Sequence, residues 1–373
     1  MPILATNFGV GVTIAGLAVI MVPVGRLIMS LPGGILTQHF GRKPLLIGGI
    51  GTIGIGSLFA FFANSLFALI GFRLISGLGM GIFTVIATVY LRDISTETNR
   101  ARYQSLNPLS ILVGSSLGAL LGGLIAAQST LKVPFLIQTL TSGITILIIY
   151  LFLPEPADNG LKKPRGTSPQ ENISSSKTKI FALLLNPVFI ATASLSLWIV
   201  SHRQGGRYIL SPLLAATKGF NISQVGMFFF ATHIPQTIAV LISGILSDRY
   251  GRNIPLIPAA FSLFGGICIL IQADSLFTLL LAGVVLGIGE GLLGPPTVAY
   301  FADTAPEGLE GATMGIYGTV SGAGALIGAL TLGSIADNKS IETALWIDGF
   351  VFISLIALVF IMTKSVPKVF SNR

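Results

Sequence analysis

Apolar runs long enough to cross a bilayer decide what this chain can fold into. A membrane-spanning helix needs about 20 apolar residues. Read against their breaks, the runs predict eleven spans at roughly 10–37, 45–62, 66–91, 102–127, 132–153, 187–216, 221–247, 254–272, 276–302, 312–336 and 340–363. Only 10% of the 373 residues are charged against 52% hydrophobic, and mean hydropathy is +0.85. A soluble domain carries about 25% charged residues, so this chain has too little polar surface to cover itself in water. The fold class expected is an all-α membrane protein.

One stretch breaks the apolar rhythm. From Pro154 to Lys179 the chain is rich in Pro, Ser, Asn and Lys, the composition of a flexible linker. It divides the chain into 1–153 with five spans, a linker at 154–180 and 181–373 with six. Lys and Arg fix an expected orientation. Arg42, Lys43, Arg92, Arg100, Arg102, Lys162, Lys163, Arg165, Lys177, Lys179, Arg249, Arg252, Lys364, Lys368 and Arg373 fall on one side. Lys132, Lys218 and Lys339 fall on the other, fifteen against three. Cytoplasmic loops carry the excess, so the linker and C-terminus are expected in the cytoplasm.

The net charge of +8 does not predict nucleic-acid binding, because the cations sit in short clusters between apolar runs. Cys268 is the one cysteine and lies in an apolar run, so neither a disulfide nor a metal cluster is expected. The N-terminus has no basic segment of the signal-peptide kind.

The chain repeats itself at an offset of 210 residues. Pro2, Leu4, Ala5, Gly9 and Gly16 recur as Pro212, Leu214, Ala215, Gly219 and Gly226. Gly34, Gly41 and Arg42 recur as Gly244, Gly251 and Arg252, and Gly77, Gly79 and Gly81 as Gly287, Gly289 and Gly291. Tyr90 and Asp93 return as Tyr300 and Asp303. Composition alone does not place glycines and polar residues together in one ungapped register, so the halves are expected to be parallel structural repeats. In that register the span at 187–216 has its counterpart ahead of residue 1, so the first helix of the first half is expected to be missing. A misplaced start codon, a truncated gene and a true eleven-span variant explain this, in that order of preference.

Gly244-Ile-Leu-Ser-Asp248-Arg249-Tyr-Gly251-Arg252 resembles the loop signature of the major facilitator superfamily. The first half reads Gly34-Ile-Leu-Thr-Gln38-His39-Phe-Gly41-Arg42-Lys43 in the same frame, with Gln38 where the family has an acid. Glycine permits close helix approach and a tight turn there. An ordinary basic loop explains the cations but not the duplicated spacing. Ile70-Gly-Phe-Arg73-Leu-Ile-Ser-Gly77-Leu-Gly79 resembles the family's fourth-helix motif, whose arginine is tied to proton coupling. Gly114 through Gly123 resembles the fifth-helix antiporter motif, with Ala119 where that motif has proline. The resemblance implies two pseudo-symmetric helical bundles, lacking the first helix of the usual twelve. It also implies loop ion pairs Arg42–Asp93 and Arg252–Asp303 as part of the gating machinery.

Ionisable residues at membrane depth ordinarily face the bundle interior or a wet cavity. Here they are Arg26, Arg73, His202, Arg203, Arg207, His233, Glu290 and Asp348. Arg203 and Arg207 lie four apart, one face of an α-helix, and that face would bind a carboxylate or phosphate, or neutralise Glu290 or Asp348 as a structural pair. Arg26, Arg203, Arg207 and His233 are the expected substrate-cavity residues. Each also has a plainer reading: Arg26 as a snorkelling side chain, His233 as a hydrogen-bonded interior residue. Glu290 sits midway along 276–302 as a solitary carboxylate, the expected proton carrier with Arg73. Asp348 falls nearer the outer end of its span.

Together these features predict a secondary transporter of the plasma membrane, working by alternating access. Proton-coupled efflux of drug-like or metabolic compounds is the leading reading, organic-anion uptake or symport the second. A non-transporting remnant or membrane sensor is the alternative of another class. The expected partners are a small-molecule substrate, protons and the lipid bilayer, with no nucleic acid, and a monomer is expected. No nucleotide-binding loop of the GxxxxGK[ST] type occurs, and no enzyme activity, cofactor or metal is expected. The orientation is testable: cysteines at Ser174 and Ser371 should be shielded from impermeant thiol reagents in intact cells, whereas one at Asn64 should label. Labelling at Ser174 without lysis would reverse the topology.

Overall fold

The structure is a computed structural model describing residues 1–96, 100–155, 180–306 and 309–365. Side chains at 30–31, 34–35, 37–39, 100–102, 104–105, 108, 310 and 364–365 lie outside that description, as does most of the linker. No strand occurs among the described residues. Two compact units form, Met1–Pro164 with Asn221–Gly226, and Arg165–Phe220 with Met227–Arg373.

The first unit contains α1 (Pro2–Thr6), α2 (Val12–Phe40), α3 (Arg42–Phe62), α4 (Leu66–Asp93), α5 (Arg100–Gln128) and α6 (Val133–Phe152). The second begins with α7 (Pro187–Ser201), which runs into a π-helix (His202–Leu210) and then α8 (Ser211–Thr217). After these come α9 (Ile222–Tyr250), α10 (Leu256–Ile271), α11 (Leu276–Asp303), α12 (Glu310–Asn338) and α13 (Ile341–Ser365). Nine of these helices are long and apolar enough to cross a membrane, with α10 shorter. The α7–π–α8 run covers the remaining predicted span.

The repeat extends to helix boundaries. Val12–Phe40, Leu66–Asp93 and Arg100–Gln128 each recur 210 residues later as Ile222–Tyr250, Leu276–Asp303 and Glu310–Asn338. Ser65 and Ser275 cap α4 and α11, each accepting from the backbone N–H three residues on. Gly41 and Gly251 stop α2 and α9 with φ of 75° and 106°, a backbone region that favours glycine. In the first half α3 starts at the very next residue, so the loop there is a single glycine hinge.

Glycine spacing explains how the helices approach. Without water to expel, helices in lipid associate by close backbone packing, for which small residues are needed. Gly77, Gly79 and Gly81 alternate between opposite faces of α4. A Cβ at Gly77 would stand 2.6 Å from the Val22 carbonyl oxygen of α2, and one at Gly81 2.8 Å from that of Arg26. At Gly79 it would instead stand 2.8 Å from the Ile53 nitrogen of α3. The second half repeats the device: Gly287 and Gly291 face Thr232 and Gln236 of α9, and Gly289 faces Leu263 of α10. Gly324 and Gly328 of α12 press against the backbone of Leu197 and Ser201 in α7.

This packing predicts a contrast within α11. Gly287→Ala should lower the unfolding temperature of the purified protein by the equivalent of about 1–3 kcal/mol of overpacking. Gly294→Ala, whose added Cβ meets nothing within 4 Å, should leave it unchanged or raise it. Equal effects at the two positions would show that backbone approach at Gly287 is not what sets helix spacing.

Candidate functional site: a buried charge cluster

Glu290 lies on α11 between the glycines that draw that helix against α9 and α10, and is 4% exposed. It is not solitary, which corrects the sequence reading. Arg207 of the π-helix donates from Nη1 to Glu290 Oε2 at 2.5 Å and to Gln236 Oε1 of α9 at 3.0 Å. Gln236 Nε2 donates to the same Glu290 oxygen at 3.1 Å. His202 Nε2 stands 3.6 Å from Glu290 Oε1, and its Nδ1 lies 2.5 Å from Asp348 Oδ2 of α13. Asp348, expected near the outer end of its span, is fully buried in this same cluster.

The π-helix assembles these groups. Its hydrogen bonds run from residue i+5 back to i, as from the Ser211 N–H to the Gly206 carbonyl. Residues five apart therefore sit one above the other, so His202 and Arg207 reach Glu290 from one side. In an α-helix they would be about 140° apart. An α-helical period instead groups Arg203 with Arg207, and the structure separates their environments: Arg207 is 1% exposed and paired, Arg203 half-buried. Gly205 and Gly206 make the widened turn sterically feasible. A Cβ at Gly206 would stand 2.7 Å from Asp348 Oδ2 and 2.9 Å from His202 Nδ1. Phe352 of α13 closes one side of the His202 ring edge-to-face at 5.1 Å.

The other anticipated residues fall elsewhere. His233 is buried one turn before Gln236, and its Nδ1 lies 2.6 Å from the Phe229 carbonyl oxygen. Arg73 lies on α4 of the first unit, over the Phe135 ring at 5.8 Å. Arg26 is exposed on α2. In the second unit an apolar cleft of about 230 Å³ is lined by Phe189, Ala193, Leu197, Ile316 and Val320.

The residues anticipated for gating form two related constellations. Arg42 Nε donates to Asp93 Oδ2 at 2.9 Å and Arg252 Nε to Asp303 Oδ2 at 3.1 Å, each pair 51 residues apart. Arg252 also bonds Asp248 and the Ser247 hydroxyl. Partial burial alone would lower the Arg252 guanidinium, but its bonds to Asp248 and Asp303 outweigh this and raise it. Arg249 lies in the last turn of α9, and Gly244 lies a turn and a half before it, open to a side chain. Gly34 and Gln38 lie on α2 outside the residues whose side chains are described. In the first half Glu155 adds an acid: its two oxygens accept from the Arg42 and Lys43 backbone N–H groups at 2.6 and 2.9 Å, capping the N-terminus of α3.

Comparison with known proteins decides the family. The model of the Major Facilitator Superfamily matches residues 1–202 and 203–373. The chain belongs to the major facilitator superfamily. An uncharacterised MFS-type transporter of Methanocaldococcus jannaschii is 24% identical over 333 residues, 89% of this chain and 83% of the relative. The class H tetracycline resistance protein of Pasteurella multocida is 23% identical over 383 residues, 98% of this chain and 89% of that protein. Among solved structures, an inward-facing, unoccupied bacterial homologue of the human lysosomal transporter Spinster superposes with a TM-score of 0.77. It is 15% identical, covering 97% of this chain and 91% of that one, a likeness of fold. The chain is thus a multi-pass membrane protein of a transporter superfamily.

Gln236 and the part played by Asp348 escape a reading of the sequence by apolar runs. One signal for Gln236 exists, since it stands 210 residues after Arg26 as the second polar residue at that register position. The ion pair carries its own prediction. Arg207→Met leaves Glu290 buried without its cation and should destabilise the protein by roughly 3–5 kcal/mol. Arg207→Met with Glu290→Met should recover most of that in thermal unfolding. A double variant no more stable than the single one would mean that the two charges do not compensate each other.

Proposed function

We propose that this superfamily member is a proton-coupled secondary transporter that expels drug-like or metabolic compounds across the plasma membrane by alternating access. In this reading 1–153 and 181–373 are the two moving bundles, joined by the linker at 154–180, with the linker and C-terminus cytoplasmic. The observation that carries it is the buried cluster of Glu290, Arg207, His202 and Asp348 in the interior of helices that cross the membrane. Charges at such depth are costly, and their ordinary use is an ion or proton pathway. Glu290 is the coupling carboxylate, held by Arg207 in this conformation. Arg73 contributes from the first bundle, and Arg26, Arg203 and His233 line the substrate path. Arg42–Asp93 and Arg252–Asp303 hold one conformational state through half-exposed pairs, each worth about 0–1 kcal/mol and so readily broken during the cycle. Similarity to a tetracycline resistance protein supports the drug-like class.

Organic-anion symport is the second reading. Arg203 favours it: the residue is half-buried, and its Nε has no hydrogen-bond partner among the described residues. Arg207, the other half of the anticipated anion site, is already neutralised by Glu290.

Everted membrane vesicles test the efflux reading with ethidium as the drug-like probe and an imposed pH gradient. Wild-type vesicles should accumulate the dye, Glu290→Gln vesicles should lose the gradient-driven component, and both should keep downhill exchange. Dye accumulation in Glu290→Gln with unaltered pH dependence would remove Glu290 from the coupling mechanism.

A further inference from the structure

We infer that the His202–Asp348 pair is the proton-binding site of the second bundle, with the proton making His202 an imidazolium between two carboxylates. The inference deepens the proton-coupled reading above and rests on it for its role in transport. Its starting point is donor and acceptor chemistry. His202 Nδ1 faces Asp348 Oδ2 at 2.5 Å and Nε2 faces Glu290 Oε1 at 3.6 Å. A neutral imidazole has one N–H and one lone pair. Placed here, it would turn that lone pair towards one of two anions. An imidazolium has two donors and suits both.

The charge balance of the hydrogen-bonded cluster agrees. Glu290 and Asp348 supply two negative charges, and Arg207 supplies one fixed positive charge to Glu290. No cation other than His202 is paired with Asp348 among the described residues, and Asp348 Oδ1 accepts no hydrogen bond there. A fully buried carboxylate with a neutral partner would be an uncompensated charge, which costs several kcal/mol. One proton on His202 makes the cluster neutral.

Other groups surround the pair, and α7 and α10, which also pack here, bring no Asp, Glu, Lys, Arg or His. The π-helix contributes Arg207 and also Arg203, which is half-buried and outside the hydrogen-bonded cluster. From α9 come Gln236, bonded to Glu290, and His233, bonded to the Phe229 carbonyl. From α11 comes Glu290, and from α13 Asp348 with the Phe352 ring. The face of α12 against this segment presents Gly324 and Gly328.

The proton then bears on helix packing. Its loss breaks an N–H bond of His202 and leaves a lone pair against a carboxylate, loosening α13 or α11 from the π-helix. Its return restores both contacts. Protonation thus couples to the spacing of three helices inside one bundle.

Nitrogen-15 NMR on histidine-labelled, untagged protein in lipid tests this without any substrate. The chain has three histidines, His39, His202 and His233. The His202 signals are those lost in His202→Gln, or, should that variant not fold, those that persist in both His39→Gln and His233→Gln. Both His202 ring nitrogens should be protonated at about pH 7.5, where a free imidazole is mostly neutral. Asp348→Asn should lose one of those two protons. A neutral His202 ring in the wild-type protein at that pH overturns the inference, and so does a ring still doubly protonated in Asp348→Asn. The wild-type spectrum decides even if the aspartate variant does not fold. Because it reads the proton directly, its failure is distinct from failure of the ethidium assay, which reads coupling.

Discussion

Backbone-to-backbone approach at glycine is the constraint on which this structure depends. Lipid offers helices no hydrophobic gain for associating, because the solvent is as apolar as their side chains. Close contact must supply the attraction, and it is concentrated where one glycine ladder serves two neighbours. Gly287 and Gly291 draw α11 onto α9, while Gly289 draws it onto α10. Glu290 sits inside that ladder, so the residues that hold the bundle together also set the depth and direction of its carboxylate. Gly324 and Gly328 do the same for the run carrying His202 and Arg207, from the side of α12.

The internal repeat sharpens what is particular to the second half. Helix boundaries, serine caps, hinge glycines and loop ion pairs all recur 210 residues apart. The charge cluster does not. Glu290 corresponds to Met80, Asp348 to Gln138 and His233 to Pro23. Duplication accounts for a scaffold that both halves share, and the cluster of Glu290, Arg207, His202 and Asp348 stands on one copy of it. The loop ends differ too: Arg252 gathers Asp248 and Asp303, whereas beside Arg42 the backbone is capped by Glu155. A carboxylate from the far end of the same unit thus lies against the hinge whose own frame carries Gln38.

Much of the scaffold was legible because its signals are local or periodic. Apolar length marks the spans, glycine followed by cations marks the hinges, and the register exposes the repeat. The site was less legible for two physical reasons. An α period throughout groups Arg203 with Arg207, whereas the chain widens at Gly205-Gly206 and groups His202 with Arg207. Depth along each span by itself sets Asp348 near an outer end and leaves Glu290 solitary. Packing of α13 against the π-helix brings Asp348 to His202, and no count along a single helix reveals that. Glu155 lies in a stretch of linker composition, and nothing in its own neighbourhood signals a contact over one hundred residues back.

The π-helix is a widened turn of a kind that is frequent at functional sites. Here its consequence is geometric. It stacks an arginine and a histidine that an α-helix would hold apart, and directs both at one carboxylate. The arginine cannot lose its charge, whereas the histidine is the side chain whose charge changes most readily near neutral pH. One carboxylate thus meets a permanent cation and a conditional one from the same backbone segment, and the second carboxylate, Asp348, meets only the conditional one. Neutralising Glu290 by Arg207 therefore leaves the remaining charge of the cluster to be balanced by His202, and the balance to be set by a proton.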